Sequence, residues 1–154
     1  MRRWIGLAAF VVAVVGMGVL IGTSTPPGDW YAELQKPPLN PPNWLFPPVW
    51  TVLYTLIAYV GWRTRERSGR RSPQFSLWAI QMGLNFVWSP IVFSVNELGL
   101  GLLVLVTLLF CLFVFILRAW KSDRVSAFLF LPYAAWVAFA TYLNAGLYVL
   151  NQAQ

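Results

Sequence analysis

Five long apolar runs divide this chain, and only short polar segments separate them. The runs cover about residues 4–25, 46–67, 74–96, 98–119 and 124–150. Each is close to the roughly 20 residues that an α-helix needs to cross the hydrocarbon core of a bilayer. The second run is apolar only as far as Trp62, but the helix can continue because the arginines that follow can reach the lipid headgroups. The pattern predicts an all-α membrane protein, a bundle of five transmembrane helices forming one domain over residues 1–154.

Composition agrees with this class. Of the 154 residues, 58% are hydrophobic and only 10% are charged, whereas about 25% of the residues in a soluble domain are charged. The longest stretch outside the predicted helices is the loop 26–45, so no separate soluble domain is expected.

The basic residues fall almost entirely on one side of the predicted bundle. All 11 Lys and Arg residues except Lys36 lie at the N-terminus or within 63–71 and 118–124, at the ends of the second and fourth helices and in the loops that follow them. The positive-inside rule places that side in the cytoplasm and the loop 26–45 outside, by default across a bacterial cytoplasmic membrane. The basic cluster 63–71 then orients the protein and contacts anionic lipid, and we expect no nucleic-acid partner.

The loop 26–45 and the start of the second helix are rich in proline pairs and aromatic residues. Each proline fixes φ near −65° and removes a backbone donor, so this segment is expected to be stiff and extended. A stiff segment can hold rings such as Trp30 and Phe46 in place beside the bundle. Aromatic side chains held in this way can bind a flat apolar ligand by stacking and burial.

Three predicted helices carry aromatic and amide side chains at helical spacing, so each set shares one helix face. The sets are Phe46, Trp50 and Tyr54; Gln81, Asn85 and Trp88; and Tyr133, Trp136, Ala140 and Asn144. The directions of the helices bring most of these residues to the outer half of the bundle, beneath the loop. They predict a pocket, although tryptophan belts at the interfaces and amides that join helices are the alternative interpretation.

Several kinds of chemistry are disfavoured. The chain has no His and a single Cys, Cys111, so it lacks the residues of a Cys/His metal site or a histidine-based triad. None of the five acidic residues falls within the apolar part of a run, since Glu66 follows Trp62 in the basic extension of the second run, and this argues against an ion-coupled transporter. We find no acid–base or nucleophile constellation, and expect no metal, no catalytic residues and no conventional enzyme.

Three strings in the chain resemble the signature segments of the translocator protein / tryptophan-rich sensory protein (TspO/MBR) family. They are WYAELQKPPLNPPNWLFPPVWTVLY (30–54), LNFVWSPIVF (84–93) and LPYAAWVAFATYLN (131–144). The resemblance covers essentially the whole chain. It implies a compact bundle, commonly a homodimer, that binds tetrapyrroles such as protoporphyrin IX and also isoquinoline carboxamide or benzodiazepine-type ligands, with no obligatory cofactor.

The family's pocket positions carry over to nine residues of this sequence. They are Trp30, Phe46, Trp50, Asn85, Trp88, Trp136, Ala140, Leu143 and Asn144. The candidate site also includes Tyr54 and Tyr133 from the helical stripes. A sterol pattern of the family is incomplete here, because no basic residue follows Leu143 and Tyr148, so sterol binding is not expected. Lys36 is the candidate partner for tetrapyrrole carboxylates.

Three functions fit these expectations. The first is a sensor or regulator that binds porphyrin; the alternatives are a carrier of porphyrin or lipid across the membrane and light-dependent porphyrin degradation assisted by tryptophan. Gly18 and Gly22 form a GxxxG pair that packs either within the bundle or between two copies of the chain.

Overall fold

The structure, a computed structural model, describes residues 2–152 of the chain, with side chains from Arg3 onward. The helices are α1 (Arg2–Ser24), α2 (Asp29–Glu33), α3 (Phe46–Ser68), α4 (Pro73–Phe93), α5 (Leu98–Ser122) and α6 (Arg124–Leu150). A 3₁₀ turn, Asn43–Leu45, leads into α3. Five of these helices, all except the short α2, are long and apolar enough to cross a membrane. The predicted fold class is confirmed.

Helix boundaries follow local sequence signals. Prolines stand in the first turn of α3, where the missing N–H has no helical partner to lose, and Gly69 ends α3 with φ of 87°. The Ser72 side chain caps α4 by accepting a hydrogen bond from the Phe75 N–H at 3.1 Å. α4 ends three residues earlier than predicted, and Asn96 then adopts a φ of 61° in the turn before α5.

The proline-rich segment, residues 25–45, is less extended than the sequence predicts. It contains the helical turn α2 and the 3₁₀ turn before α3. Tyr31 and Leu34 bury their side chains against Val92 of α4, Leu98 of α5 and Leu147 of α6. Burial of apolar side chains therefore folds part of this segment onto the bundle.

The five long helices form a ring in the order α1, α3, α6, α5, α4, with the most extensive packing between α5 and α6. The fully buried core includes Ile57, Leu112, Phe115 and Phe130, contributed by α3, α5 and α6. α1 packs mainly on α3 and slightly on α4, and Val14 is its only buried side chain among the residues described. The loose fit of α1 leaves space inside the ring.

An ion pair ties the basic end of the bundle together. The guanidinium of Arg63 in α3 donates to both carboxylate oxygens of Asp123, between α5 and α6, with an Nε–Oδ2 distance of 2.9 Å. Burial raises the pKa of Asp123, but the hydrogen bonds from Arg63 and Ser126 and the charges of Arg63 and Arg67 outweigh burial and hold this pKa below its usual value of 3.8. Asp123 therefore stays ionised and joins three helices.

Two of the four tryptophans in the half of the bundle that carries the basic residues lie inside it rather than on its surface. Trp4 and Trp120 are exposed, as interfacial residues are, but Trp62 and Trp78 are buried. Trp78 donates its indole N–H to the Ile57 carbonyl at 2.9 Å, which satisfies its polar atom away from water.

Candidate functional site

A cavity of about 380 Å³ lies inside the ring at the end covered by the proline-rich segment. Its walls come from α1, α3, α4 and α6. The segment itself contributes Thr25, Pro27, Tyr31 and Asn43. The volume falls within the range of about 300–1,000 Å³ that small-molecule sites occupy.

Eight of the eleven residues selected from the sequence line this cavity. They are Phe46, Trp50, Tyr54, Asn85, Trp88, Ala140, Leu143 and Asn144. They come from three helices, and on each helix their spacing of three or four residues puts them on the face turned toward the cavity.

The other three selected residues, Trp30, Tyr133 and Trp136, lie outside the cavity wall. Tyr133 is fully buried behind it, and the Trp136 ring packs edge-on against Phe46 with centroids 5.9 Å apart. Trp30 lines a separate surface recess beside Glu97, whereas its neighbour Tyr31 lines the cavity. Because α2 is helical, consecutive side chains on it point about 100° apart, so only one of the two rings can face inward.

A chain of hydrogen bonds forms the floor of the cavity. The Tyr54 hydroxyl donates to Asn85 Oδ1 at 2.9 Å, and Asn85 Nδ2 donates to the Tyr133 hydroxyl at 2.9 Å. The Tyr133 hydroxyl in turn donates to Gln81 Oε1 at 2.8 Å. These bonds link α3, α4 and α6, and they satisfy polar atoms that would be costly to bury alone.

Two further hydrogen bonds connect the cavity wall to α5. The Trp88 indole N–H donates to Asn144 Oδ1 at 3.1 Å, and Asn144 Nδ2 donates to the Leu98 carbonyl at 2.8 Å. Asn85 and Asn144 therefore both line the cavity and join helices, so the two interpretations of these amides are not exclusive.

Aromatic stacking and close packing fix the wall formed by α3. The Trp50 and Tyr54 rings stack with centroids 5.1 Å apart. Gly18 of α1 lies against the Tyr54 ring so closely that a side-chain Cβ would come within 3.0 Å of three ring atoms. Nothing lies within 4 Å of a Cβ placed on Gly22. Within the GxxxG pair, Gly18 thus packs inside the bundle.

Sequence reasoning missed the contribution of α1. This helix lines the cavity with Val15, Gly18, Val19, Ile21, Gly22 and Thr23. Most of these are small or apolar residues, and the polar side chains of α1 lie only at its two ends, so they form no stripe like those on the other helices. The glycine pair was the available signal, because it marks a face that allows close approach.

The cavity offers no charge and little unsatisfied polarity. Among the residues that the structure describes, none that lines the cavity is Asp, Glu, Lys or Arg. Thr25 and Ser89 hydrogen-bond to each other at 2.6 Å, and Thr51 donates to the Pro47 carbonyl. No cluster of metal-binding side chains occurs within residues 2–152. The described lining of the cavity is therefore mainly aromatic and aliphatic.

Fold and site together define an integral membrane protein with five spanning helices and an internal, aromatic-walled cavity. The family model described as the TspO/MBR family matches residues 8–150, and the chain belongs to that family.

Curated relatives align over most of their length. Protein CrtK of Rhodobacter capsulatus is 36% identical over 94% of this chain and 91% of its own. Tryptophan-rich protein TspO of Archaeoglobus fulgidus is 35% identical over 94% of this chain and 96% of its own. The human translocator protein is 30% identical over 92% of this chain and 87% of its own.

Proposed function

We propose that this protein binds tetrapyrroles, with protoporphyrin IX as the reference ligand, and related apolar molecules in the cavity, and that it acts as a membrane sensor or regulator. The observation that carries the proposal is the uncharged cavity walled by Phe46, Trp50 and Trp88. The relatives named tryptophan-rich sensory protein and translocator protein support a sensor or translocator role.

The driving force for binding is burial of apolar surface. Each 100 Å² of apolar area removed from water contributes about 2.5 kcal/mol, and a well-placed aromatic pair adds about 0.5–1.5 kcal/mol. A planar macrocycle can gain both terms from Trp50 and Trp88, which line the same cavity. The same terms apply to isoquinoline carboxamide-type ligands.

Carriage is the second candidate function, and one observation favours it. Val19 and Gly22 of α1 and Thr51 of α3 line the cavity and are exposed. Because all three lie within spanning helices, their exposure supports an opening of the cavity between α1 and α3 toward the bilayer. A ligand dissolved in lipid can exchange through such an opening. Vesicle flux of protoporphyrin IX that depends on the protein would establish carriage.

A matched pair of substitutions on α6 tests the proposed site. Ala140 lines the cavity, whereas Ala138, two residues earlier, is exposed on the outside of the bundle. Protoporphyrin IX should quench tryptophan fluorescence of the purified protein in lipid nanodiscs. Ala140→Phe fills the cavity and should weaken binding at least tenfold, while Ala138→Phe should leave it unchanged.

Equal affinity in the two variants would refute the site. Illumination of the same complexes addresses degradation: loss of the Soret band with a new product, absent in Trp50→Phe, would establish photochemistry in addition to binding.

A further inference from the structure

We infer that the cavity selects its ligands for lack of charge: a neutral tetrapyrrole binds at least as tightly as its carboxylate form, and any carboxylate stays in water at the cavity mouth. This inference rests on the proposed function and specifies its ligand class. It differs from the sequence-based expectation, in which Lys36 pairs with tetrapyrrole carboxylates.

The described wall of the cavity gives a carboxylate no charged partner. Its lining residues are uncharged, and its central polar groups are already paired with one another. Asn85 uses its amide oxygen and nitrogen for Tyr54 and Tyr133, and Asn144 uses its own for Trp88 and Leu98. A carboxylate moved into this cavity would lose its hydration without gaining hydrogen bonds in return, which carries a large cost.

Lys36 is engaged elsewhere. Its ammonium donates to the carbonyl oxygens of Tyr31, Ala32 and Leu34, at the end of α2. It also lies over the Tyr31 ring, 4.7 Å from the ring centroid. All three ammonium hydrogens have a carbonyl partner, so Lys36 stabilises the end of a helical turn, and a ligand carboxylate would have to displace those bonds.

The other charges described at this end of the bundle are acidic. Asp29 and Glu33 lie on α2, and Glu97 lies at the start of α5; all three are exposed. With Lys36 as the one cation described at this end of the bundle, the local net charge is −2. A net negative charge at this end of the bundle disfavours the approach of anionic ligands, and salt screens that repulsion beyond about 10 Å.

A matched ligand pair tests the inference. The full-length protein in phosphatidylcholine nanodiscs is titrated with protoporphyrin IX and with its dimethyl ester, and quenching is corrected with empty nanodiscs and with Ala140→Phe. The ester should bind with a Kd equal to or below that of the free acid, and added NaCl should leave the affinity of the acid unchanged or raise it. Acid binding at least tenfold tighter than ester binding, weakened by salt and lost in Lys36→Gln, would overturn the inference and leave the proposed function standing.

A gain-of-charge variant checks where the carboxylates lie. Asn43 is exposed and lines the mouth of the cavity. Asn43→Lys should tighten binding of the free acid about fivefold, as expected for one partly exposed ion pair, and leave the ester unchanged. Asn43→Gln is the neutral control: it keeps an uncharged amide at this position, so a gain in acid affinity that Asn43→Lys shows and Asn43→Gln lacks is due to the charge. An unchanged acid affinity in Asn43→Lys would contradict the placement of the carboxylates at the mouth, and absence of binding by both ligands to the unmodified protein would refute the proposed function itself.

Discussion

Gly18→Ala should damage the cavity wall where α1 packs against α3. The added methyl group would lie within 3.0 Å of three atoms of the Tyr54 ring. That ring cannot turn away freely, because it stacks on Trp50 and its hydroxyl donates to Asn85.

The size of the effect follows from three contributions. Overpacking in a filled core costs about 1–3 kcal/mol, and a strained or lost hydrogen bond costs about 1 kcal/mol more. Alanine offsets up to about 1 kcal/mol of this loss, because its helix propensity is higher than that of glycine. The net loss is about 2 kcal/mol, equivalent to a fall of about 4–8 °C in Tm for a chain of this size.

The assay is thermal unfolding in nanodiscs, followed by intrinsic fluorescence. Gly16→Ala is the control, because Gly16 is exposed on the same helix and nothing lies within 4 Å of its added Cβ. Gly16→Ala should leave Tm unchanged or raise it. In a Tyr54→Ala background the cost of Gly18→Ala should disappear, since the clashing ring is gone. A Gly18→Ala variant as stable as Gly16→Ala would refute the packing described for α1.

Other contacts give further predictions. Asp123→Asn should lower the unfolding free energy by about 2–3 kcal/mol, because it leaves the Arg63 guanidinium without its counter-charge. A Tm for Asp123→Asn equal to that of the unmodified protein would contradict this. The folded-state pKa of Asp123 is lowered, so its stabilisation should be complete above its ordinary pKa of 3.8 and disappear as pH falls through the folded value. Unfolding curves from pH 7 to pH 3 should show this loss in the unmodified protein and lack it in Asp123→Asn. Tyr133→Phe should lower the unfolding free energy by about 2–3 kcal/mol, because it leaves Asn85 Nδ2 and Gln81 Oε1 without their partner in the core. Tyr142→Phe removes an exposed hydroxyl and should lower the unfolding free energy by under about 1 kcal/mol in the same measurement.

The fold was predictable because the bilayer restricts the choice of structures. Backbone groups in lipid must be paired, so an apolar run of about 20 residues has essentially one local solution. The start of α3 at Phe46 and that of α5 at Leu98 agree with the sequence. The turn α2 was missed because the rigidity of the flanking prolines suggested extended structure, whereas burial of Tyr31 and Leu34 stabilises a helical turn between them.

The site was predictable on the helices that carry polar and aromatic stripes. Helical spacing places Trp50, Asn85 and Asn144 toward one cavity, and the structure brings them to its wall. Helical spacing in the sequence could not show that Tyr31 faces the cavity in place of Trp30, since that depends on the conformation of α2. Nor could it show that three backbone carbonyls occupy the Lys36 ammonium, because these contacts exist only after the segment has folded.

A structure of the protein with protoporphyrin IX bound in a lipid nanodisc tests the central claim most directly. The account predicts macrocycle density between α1, α3, α4 and α6, in contact with Trp50, Trp88 and Leu143, with both carboxylates at the mouth near Asn43 and away from the Lys36 ammonium. Density outside this cavity, on the surface of the proline-rich segment or on the lipid-facing side of the helices, would contradict it.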